Sequence, residues 1–151
     1  MMSDDDMHAV MDVNLFSAVT FLRVLTKKHV NHGVLRSVVM VSSINSYRGA
    51  SGLTAYCASK GAVDGFVRAA AVELAPHVRV NAVRPGTIQT HEDGELTEEA
   101  RAIFQQPEAH GYLLGNGRPD DIVSMIRYLL SPRARWITGQ CFTVDGGWTA
   151  H

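Results

Sequence analysis

The hydrophobic positions of the chain change period several times, and each change predicts an element. Met7, Val10, Met11, Leu15, Ala18, Val19, Leu22 and Leu25 recur at three- and four-residue spacings, the stripe of an amphipathic helix. Ser3 with Asp6 three positions later is close to a capping box, and Asp4, Asp5 and Asp6 suit the positive end of a helix dipole. The pattern predicts a long helix over residues 6–28, followed by a polar loop around Gly33. Val38-Val39-Met40-Val41 is an unbroken apolar run, as expected of a parallel strand covered on both faces. A Ser/Gly-rich loop runs from Ser42 to Gly52, and the alanine-rich stretch Thr54 to Ala75 reads as a helix closed by Pro76. Arg79 to Val83 is a second buried strand ended by Pro85-Gly86. Residues 87–117 are irregular apart from a helical stretch over Thr97–Gln106. Pro119 to Leu130 has proline in its first turn and Pro132 just beyond its end, which marks both boundaries of a helix. Cys141 to Val144 is a third strand, stopped by Asp145-Gly146-Gly147.

Strands joined through helices imply one α/β domain with a parallel sheet and right-handed crossovers. Hydrophobic residues at 46% and charged residues at 19% fit a folded globular chain and exclude a disordered one. A net charge of -1 gives no electrostatic ground for nucleic acid or an anionic membrane as partner. No apolar run approaches the ~20 residues of a bilayer span. Met1 to Met7 is acidic and lacks the apolar core of a signal peptide, so a cytoplasmic location is expected. Cys57 and Cys141 have no metal-ligand spacing; reduced thiols are expected, with a single disulfide between them the alternative. His29 and His32 lie in a loop with no acid or cysteine at ligand spacing, so no metal site is expected. Core packing is expected for Cys57, with modification by electrophiles the alternative; sheet cover is expected for Trp136 and Trp148, with the substrate cleft the alternative; and a substrate lid is expected for His91–Tyr112 that names no substrate.

Four features carry candidate chemistry. Tyr56 and Lys60, four apart, share one helix face, and an ammonium beside a phenol favours the phenolate. That pairing suits a general acid/base near neutral pH, although a surface helix can also carry a chance Tyr-Lys pair. Ser43 leaves the first strand at its carboxyl end, where ligands collect in open parallel sheets. Its hydroxyl can hold a substrate oxygen, or simply be part of a polar strand exit. Asn14, between Val13 and Leu15, is either a stripe-edge surface residue or a buried amide that organises backbone and water near Lys60. The run from Arg84 to Thr90 leaves the second strand at the same end. Its amides and the Thr90 hydroxyl suit a carboxamide or a phosphate, while a plain Pro-Gly turn is the alternative.

Taken together these segments resemble the short-chain dehydrogenase/reductase family over about Met7 to Thr149. Val13-Asn14-Leu15, Val41-Ser42-Ser43-Ile44, Tyr56-Cys57-Ala58-Ser59-Lys60-Gly61-Ala62, Val80-Asn81-Ala82-Val83-Arg84-Pro85-Gly86, Gly117-Arg118-Pro119 and Val144-Asp145-Gly146-Gly147 match its motifs in order. The resemblance implies a Rossmann-like fold, NAD or NADP as cofactor, and hydride transfer to or from an alcohol or carbonyl substrate. By the same resemblance Tyr56 exchanges the proton, Ser43 holds the substrate oxygen, and Lys60 tunes the tyrosine and binds the nicotinamide ribose. Asn14 then supports a water-mediated proton path to Lys60. The implied cofactor-binding residues are Tyr56, Lys60, Pro85, Gly86, Ile88 and Thr90, with Ile88, through its backbone, and Thr90 at the carboxamide end of the nicotinamide. A homo-oligomer through helices 6–28 and 54–75 is also implied, as is a reaction without metal.

The family's Gly-rich turn, which lets a pyrophosphate approach a helix N-terminus, has no counterpart among the 13 glycines. The residue that reads the adenosine ribose and the Asn-Asn-Ala-Gly segment are missing too. The resemblance is therefore to the C-terminal catalytic portion, a truncated Rossmann-like sheet of about three strands over residues 1–151. A fragment of a longer enzyme, a natural remnant that assembles with other chains, and half of a split enzyme all fit this pattern. A catalytically inactive remnant serving as an oligomerisation or interaction module is the alternative to the oxidoreductase.

Overall fold

The computed structural model describes residues 2–90 and 111–150; the helical stretch expected over Thr97–Gln106 and most of the lid lie outside them. Helix α1 runs over Asp4–Leu25 and contains a π-helical turn, Asp12–Phe16, in which the Ser17 amide reaches back to the Asp12 carbonyl. Its capping box is complete: the Ser3 hydroxyl accepts the Asp6 amide at 3.2 Å, and the Asp6 carboxylate accepts the Ser3 amide at 3.2 Å. The hydrogen bonds from Ser3 hold the Asp6 carboxyl below its ordinary range. The helix stops short of residue 28 because Lys27 is extended (φ -69°, ψ 124°), and a separate turn, α2, covers Lys28–Asn31.

Strands β1 (Ser37–Val41), β2 (Arg79–Pro85) and β3 (Cys141–Val144) form one parallel sheet in the order β1-β2-β3. Val41 is opposite Val83 and Pro85 is opposite Val144 in the register. Helix α3 (Thr54–Leu74) and α1 cover one face, and helix α4 (Pro119–Leu130) covers the other. Alternation along β2 sorts its side chains: Val80 and Ala82 enter the cluster with Leu22, Val63, Val67, Ala70 and Ala71, whereas Val83 joins Ile122, Leu129 and Ala134. The strands and helices stand where the sequence places them, with shifted ends: α1 runs over Asp4–Leu25 rather than 6–28, β1 begins at Ser37, α3 ends at Leu74, and β2 extends through Pro85 to pair with β3.

Asn81 is fully buried and anchors β2. Its Nδ2 donates to the Ile137 carbonyl at 3.0 Å and its Oδ1 accepts the Gln140 amide at 3.1 Å. These bonds satisfy an amide whose burial without partners would cost about 1–3 kcal/mol. The fold thus aligns the carboxyl ends of three strands, the place where α/β sheets take ligands. Both cysteines are free thiols, and burial pushes the Cys141 thiol up to about 11. Cys57 is half-buried on α3 rather than in the core.

Two expectations change. Helix α1 does have the length and mean hydropathy (1.3) of a membrane span, because averaging over a window tolerates the charges that interrupt an unbroken apolar run. One side of α1 packs on α3, and Val13, Phe16, Phe21 and Val24 are exposed on it. Trp136 covers nothing: it is 90% exposed.

Candidate active site

Ser43 emerges from β1 and opens a 3₁₀ turn, Ile44–Ser46, its hydroxyl accepting the Asn45 amide at 3.1 Å. It is almost completely buried, so its hydroxyl is presented to a confined space rather than to bulk water. Tyr56 lies in the first turn of α3, half-buried, and lines the same cleft as Ser43, Gly86 and Thr87. The cleft has a volume of about 520 Å³. Lys60 follows one helical turn later. Its Nζ donates to the Val41 carbonyl at 3.0 Å and lies 5.6 Å from the centre of the Tyr56 ring. Burial lowers the Lys60 pKa below the ordinary lysine range, and the negative charge of Asp64 opposes that shift.

Asn14 stands in the π turn of α1. Its Nδ2 donates to the Ser59 hydroxyl at 3.0 Å, and Ser59 in turn donates to the Tyr56 carbonyl at 2.8 Å. A π turn is common at functional positions because its extra residue re-aims side chains. Here Asn14 reaches the residue before Lys60, and not Lys60 itself. The resemblance implied a water-mediated path from Asn14 to Lys60; the direct hydrogen bond of Asn14 is to Ser59, one residue before Lys60.

The run beyond β2 is ordered by Gly117. The Gln89 amide donates to the Gly117 carbonyl at 2.9 Å, and Ile88 faces Gly117 across an isolated parallel bridge. The Ile88 amide and carbonyl take part in no hydrogen bond among the described residues, which leaves a donor and an acceptor side by side. That pair is complementary to a carboxamide. Gly86 is required where it stands: a Cβ would come within 2.8 Å of the Tyr112 ring and 3.0 Å of the Asp145 Cα. Thr90 is exposed at the end of its segment and Pro85 ends β2 away from the cleft lining.

Beneath the site lies an ion pair that the sequence reading missed. Asp64, one turn beyond Lys60, is buried and accepts from Arg84 Nε at 2.9 Å and Nη2 at 2.7 Å. Burial alone would raise the Asp64 pKa, but hydrogen bonds, including that from Arg84, outweigh it and hold the carboxyl below its ordinary range. The same guanidinium lies 4.8 Å from the centre of the Tyr47 ring, so α3, β2 and the loop after Ser43 are tied together. Three further residues line the cleft: Arg48, which no pattern in the sequence singled out, Tyr112, the last residue of the expected lid, and Trp148. Trp148 was expected to cover the sheet, yet it lines the cleft, with the Arg48 guanidinium carbon 3.3 Å from its ring centre. The Tyr112 hydroxyl accepts the Thr87 amide at 2.8 Å.

A parallel sheet flanked by helices, with serine, tyrosine and a glycine turn gathered at its strand exits, places the chain in the Rossmann-like class of α/β proteins. Residues 1–149 match the family described as enoyl-(acyl carrier protein) reductase, and the chain belongs to the short-chain dehydrogenase/reductase family. It is 34% identical over 148 residues to the 3-oxoacyl-[acyl-carrier-protein] reductase FabG of Rickettsia felis, an alignment covering 97% of this chain and 59% of that protein. It is 31% identical over 154 residues to the L-2,3-butanediol dehydrogenase of Corynebacterium glutamicum, covering 96% and 60%. Among solved structures, a 4-hydroxyisoleucine dehydrogenase complexed with NADH and succinate superimposes with a TM-score of 0.84 at 35% identity, over 99% of this chain and 61% of that one. The chain therefore spans about three fifths of the length of the relatives it matches.

Proposed function

We propose that the chain is the catalytic portion of an NAD(P)-dependent oxidoreductase that interconverts an alcohol and a carbonyl compound. The observation that carries this reading is the single cleft in which Ser43 and Tyr56 meet, with the Lys60 ammonium 5.6 Å from the tyrosine ring. Relatives with dehydrogenase and reductase names, one of them in complex with NADH, support it.

The residues at the strand exits fit the nicotinamide end of such a cofactor. The Ile88 amide and carbonyl suit its carboxamide, Thr90 stands two residues further on, and Pro85 and Gly86 shape the turn. Lys60 suits the adjoining ribose. When bound, the nicotinamide supplies or accepts the hydride. In the reducing direction Ser43 holds the carbonyl oxygen by a hydrogen bond, and Tyr56 delivers a proton to that oxygen as negative charge develops on it. The positive charge of Lys60 favours the phenolate left behind. Asn14 holds α1 against the Tyr56–Lys60 turn through Ser59, which positions the turn, and a water between Asn14 and Lys60 completes the proton path. No residue of this sequence selects between NAD and NADP, so either dinucleotide belongs to the proposal.

The free thiols fit a reducing compartment, and the cytoplasm belongs to the proposal. So does a homo-oligomer through helices α1 and α3, supported by Val13, Phe16, Phe21 and Val72, which are 51–80% exposed. That same surface favours a second reading, an interaction module without catalysis. Titrating NADH and NADPH against the purified chain while following fluorescence separates the two. Saturable binding weakened by Lys60→Ala is the expected result, and absence of binding to either dinucleotide leaves the interaction module.

A further inference from the structure

Among the described residues lining the cleft, one side chain carries a formal charge: Arg48. Among the described residues, no carboxylate lines the cleft with it. Arg48 takes part in no ion pair and no hydrogen bond among the described residues, so its guanidinium donors are uncommitted. Its position is nonetheless fixed, since the guanidinium carbon sits 3.3 Å from the centre of the Trp148 ring, a close stack.

The tryptophan is held from below. The Trp148 amide donates to the Asp145 carbonyl at 3.1 Å, and the Asp145 carboxylate accepts the Gly147 amide at 3.1 Å, the Thr149 amide at 2.8 Å and the Thr149 hydroxyl at 2.6 Å. The Trp148 ring leans on Tyr112, 6.3 Å between centres, and Tyr112 is itself tied to Thr87. A second feature adds to the positive potential. Helix α3 begins at the cleft wall with Leu53 as its cap, no side-chain cap and no acid in its first turn. The positive end of a 21-residue helix thus faces the same space as Arg48.

We propose that this cleft selects substrates that carry a carboxylate beside the reacting alcohol or carbonyl, with the Arg48 guanidinium as the carboxylate's seat. The planar fork of a guanidinium matches a carboxylate in two parallel hydrogen bonds, and a half-buried site strengthens them. One cation balances one carboxylate, whereas a phosphate dianion would leave charge unmatched. This substrate class rests on the oxidoreductase reading above, but the seat itself is testable without cofactor.

The test is calorimetric titration of the whole chain with 3-hydroxybutyrate, its neutral methyl ester and inorganic phosphate, with circular dichroism to check each variant's fold. The acid is expected to bind at least about tenfold more tightly than the ester. Raising sodium chloride from about 0.05 to about 0.5 M is expected to weaken the acid and spare the ester. Arg48→Gln is expected to erase the acid–ester ratio, and Tyr56→Phe to leave it in place. Equal affinity for acid and ester, no detectable binding of the acid, or an unchanged ratio in Arg48→Gln overturns the proposal. Phosphate competing as strongly as the acid overturns the carboxylate assignment. Failure to bind NADH or NADPH bears on the oxidoreductase reading and leaves the Arg48 ratio unaffected.

Discussion

Around the strand exits, four polar side chains are tied to named partners: Asn14 to Ser59, Lys60 to the Val41 carbonyl, Asp64 to Arg84, Tyr112 to Thr87. Elsewhere on α1, Val13 is 72% and Phe21 66% exposed. The same helix therefore contributes a polar anchor at one position and bare apolar surface at the next. Polar groups withdrawn from water are stabilised by pairing within the chain, and Arg48 is the charged residue of the cleft lining left without such a partner among the described residues. Large exposed apolar side chains gain nothing from water, and their clustering points to cover from another surface. The contrast sets paired polar groups at the strand exits against an uncovered apolar face on α1.

The largest expected effect falls on the cleft. Tyr56→Phe keeps the ring and removes the proton donor, and turnover with a nicotinamide dinucleotide is expected to fall about 10²- to 10⁴-fold, the range of general acid catalysis. Steady-state rates measured beside the unchanged thermal unfolding of the variant check this. A loss below tenfold would place the proton transfer on another group.

Next comes the ion pair under the site. Asp64→Ala leaves the Arg84 guanidinium with an unmatched charge, and urea unfolding is expected to show a loss of about 3 kcal/mol. The sign of the pH dependence follows from the lowered Asp64 and Asp145 carboxyls, whose burial is outweighed by hydrogen bonds. A folded-state pKa below the unfolded one means that the unfolded chain binds more protons in that window. This share of stability is present above the ordinary carboxylate pKa, near 4, and disappears as pH falls through the folded value. The acid branch of the stability curve is expected to flatten in Asp64→Ala; an identical branch would show that the pair does not titrate with folding.

Asn14→Ala removes one hydrogen bond between α1 and α3, worth about 1 kcal/mol, and is expected to leave NADH affinity within about twofold. The smallest effect on the fold belongs to the outer face. Phe21→Glu should change chain stability by no more than about 0.5 kcal/mol. Light scattering is expected to show a lower molecular mass for this variant than for the native chain. If both have the mass of one chain, the exposed face does not mediate self-association.

Sequence periodicity revealed the fold where boundaries carry their own markers. Proline at 119 and 132 and the glycines at 146 and 147 delimit Pro119–Leu130 and Cys141–Val144 to the residue. Tyr56 and Lys60 were legible because four residues along one helix fix their juxtaposition without knowledge of the rest. Arg48 was not, and Tyr112 and Trp148 were legible only as the end of a lid and as an alternative to sheet cover, because the three come from distant segments that only the sheet brings together. Asp64 and Arg84 lie 20 residues apart on a helix and a strand, and no local pattern pairs them. The π turn at Asn14 was equally hidden: it changes which carbonyl each amide reaches, and no side-chain spacing records that.

The central claim is hydride transfer at the Ser43–Tyr56 cleft. Incubating the chain with a ketone and NADH deuterated at the reactive carbon, then weighing the product by mass spectrometry, tests it most directly. An alcohol carrying one deuterium, formed by the native chain and lost in Tyr56→Phe, is the expected result. An alcohol without the label, or none above the level of Tyr56→Phe, would contradict it.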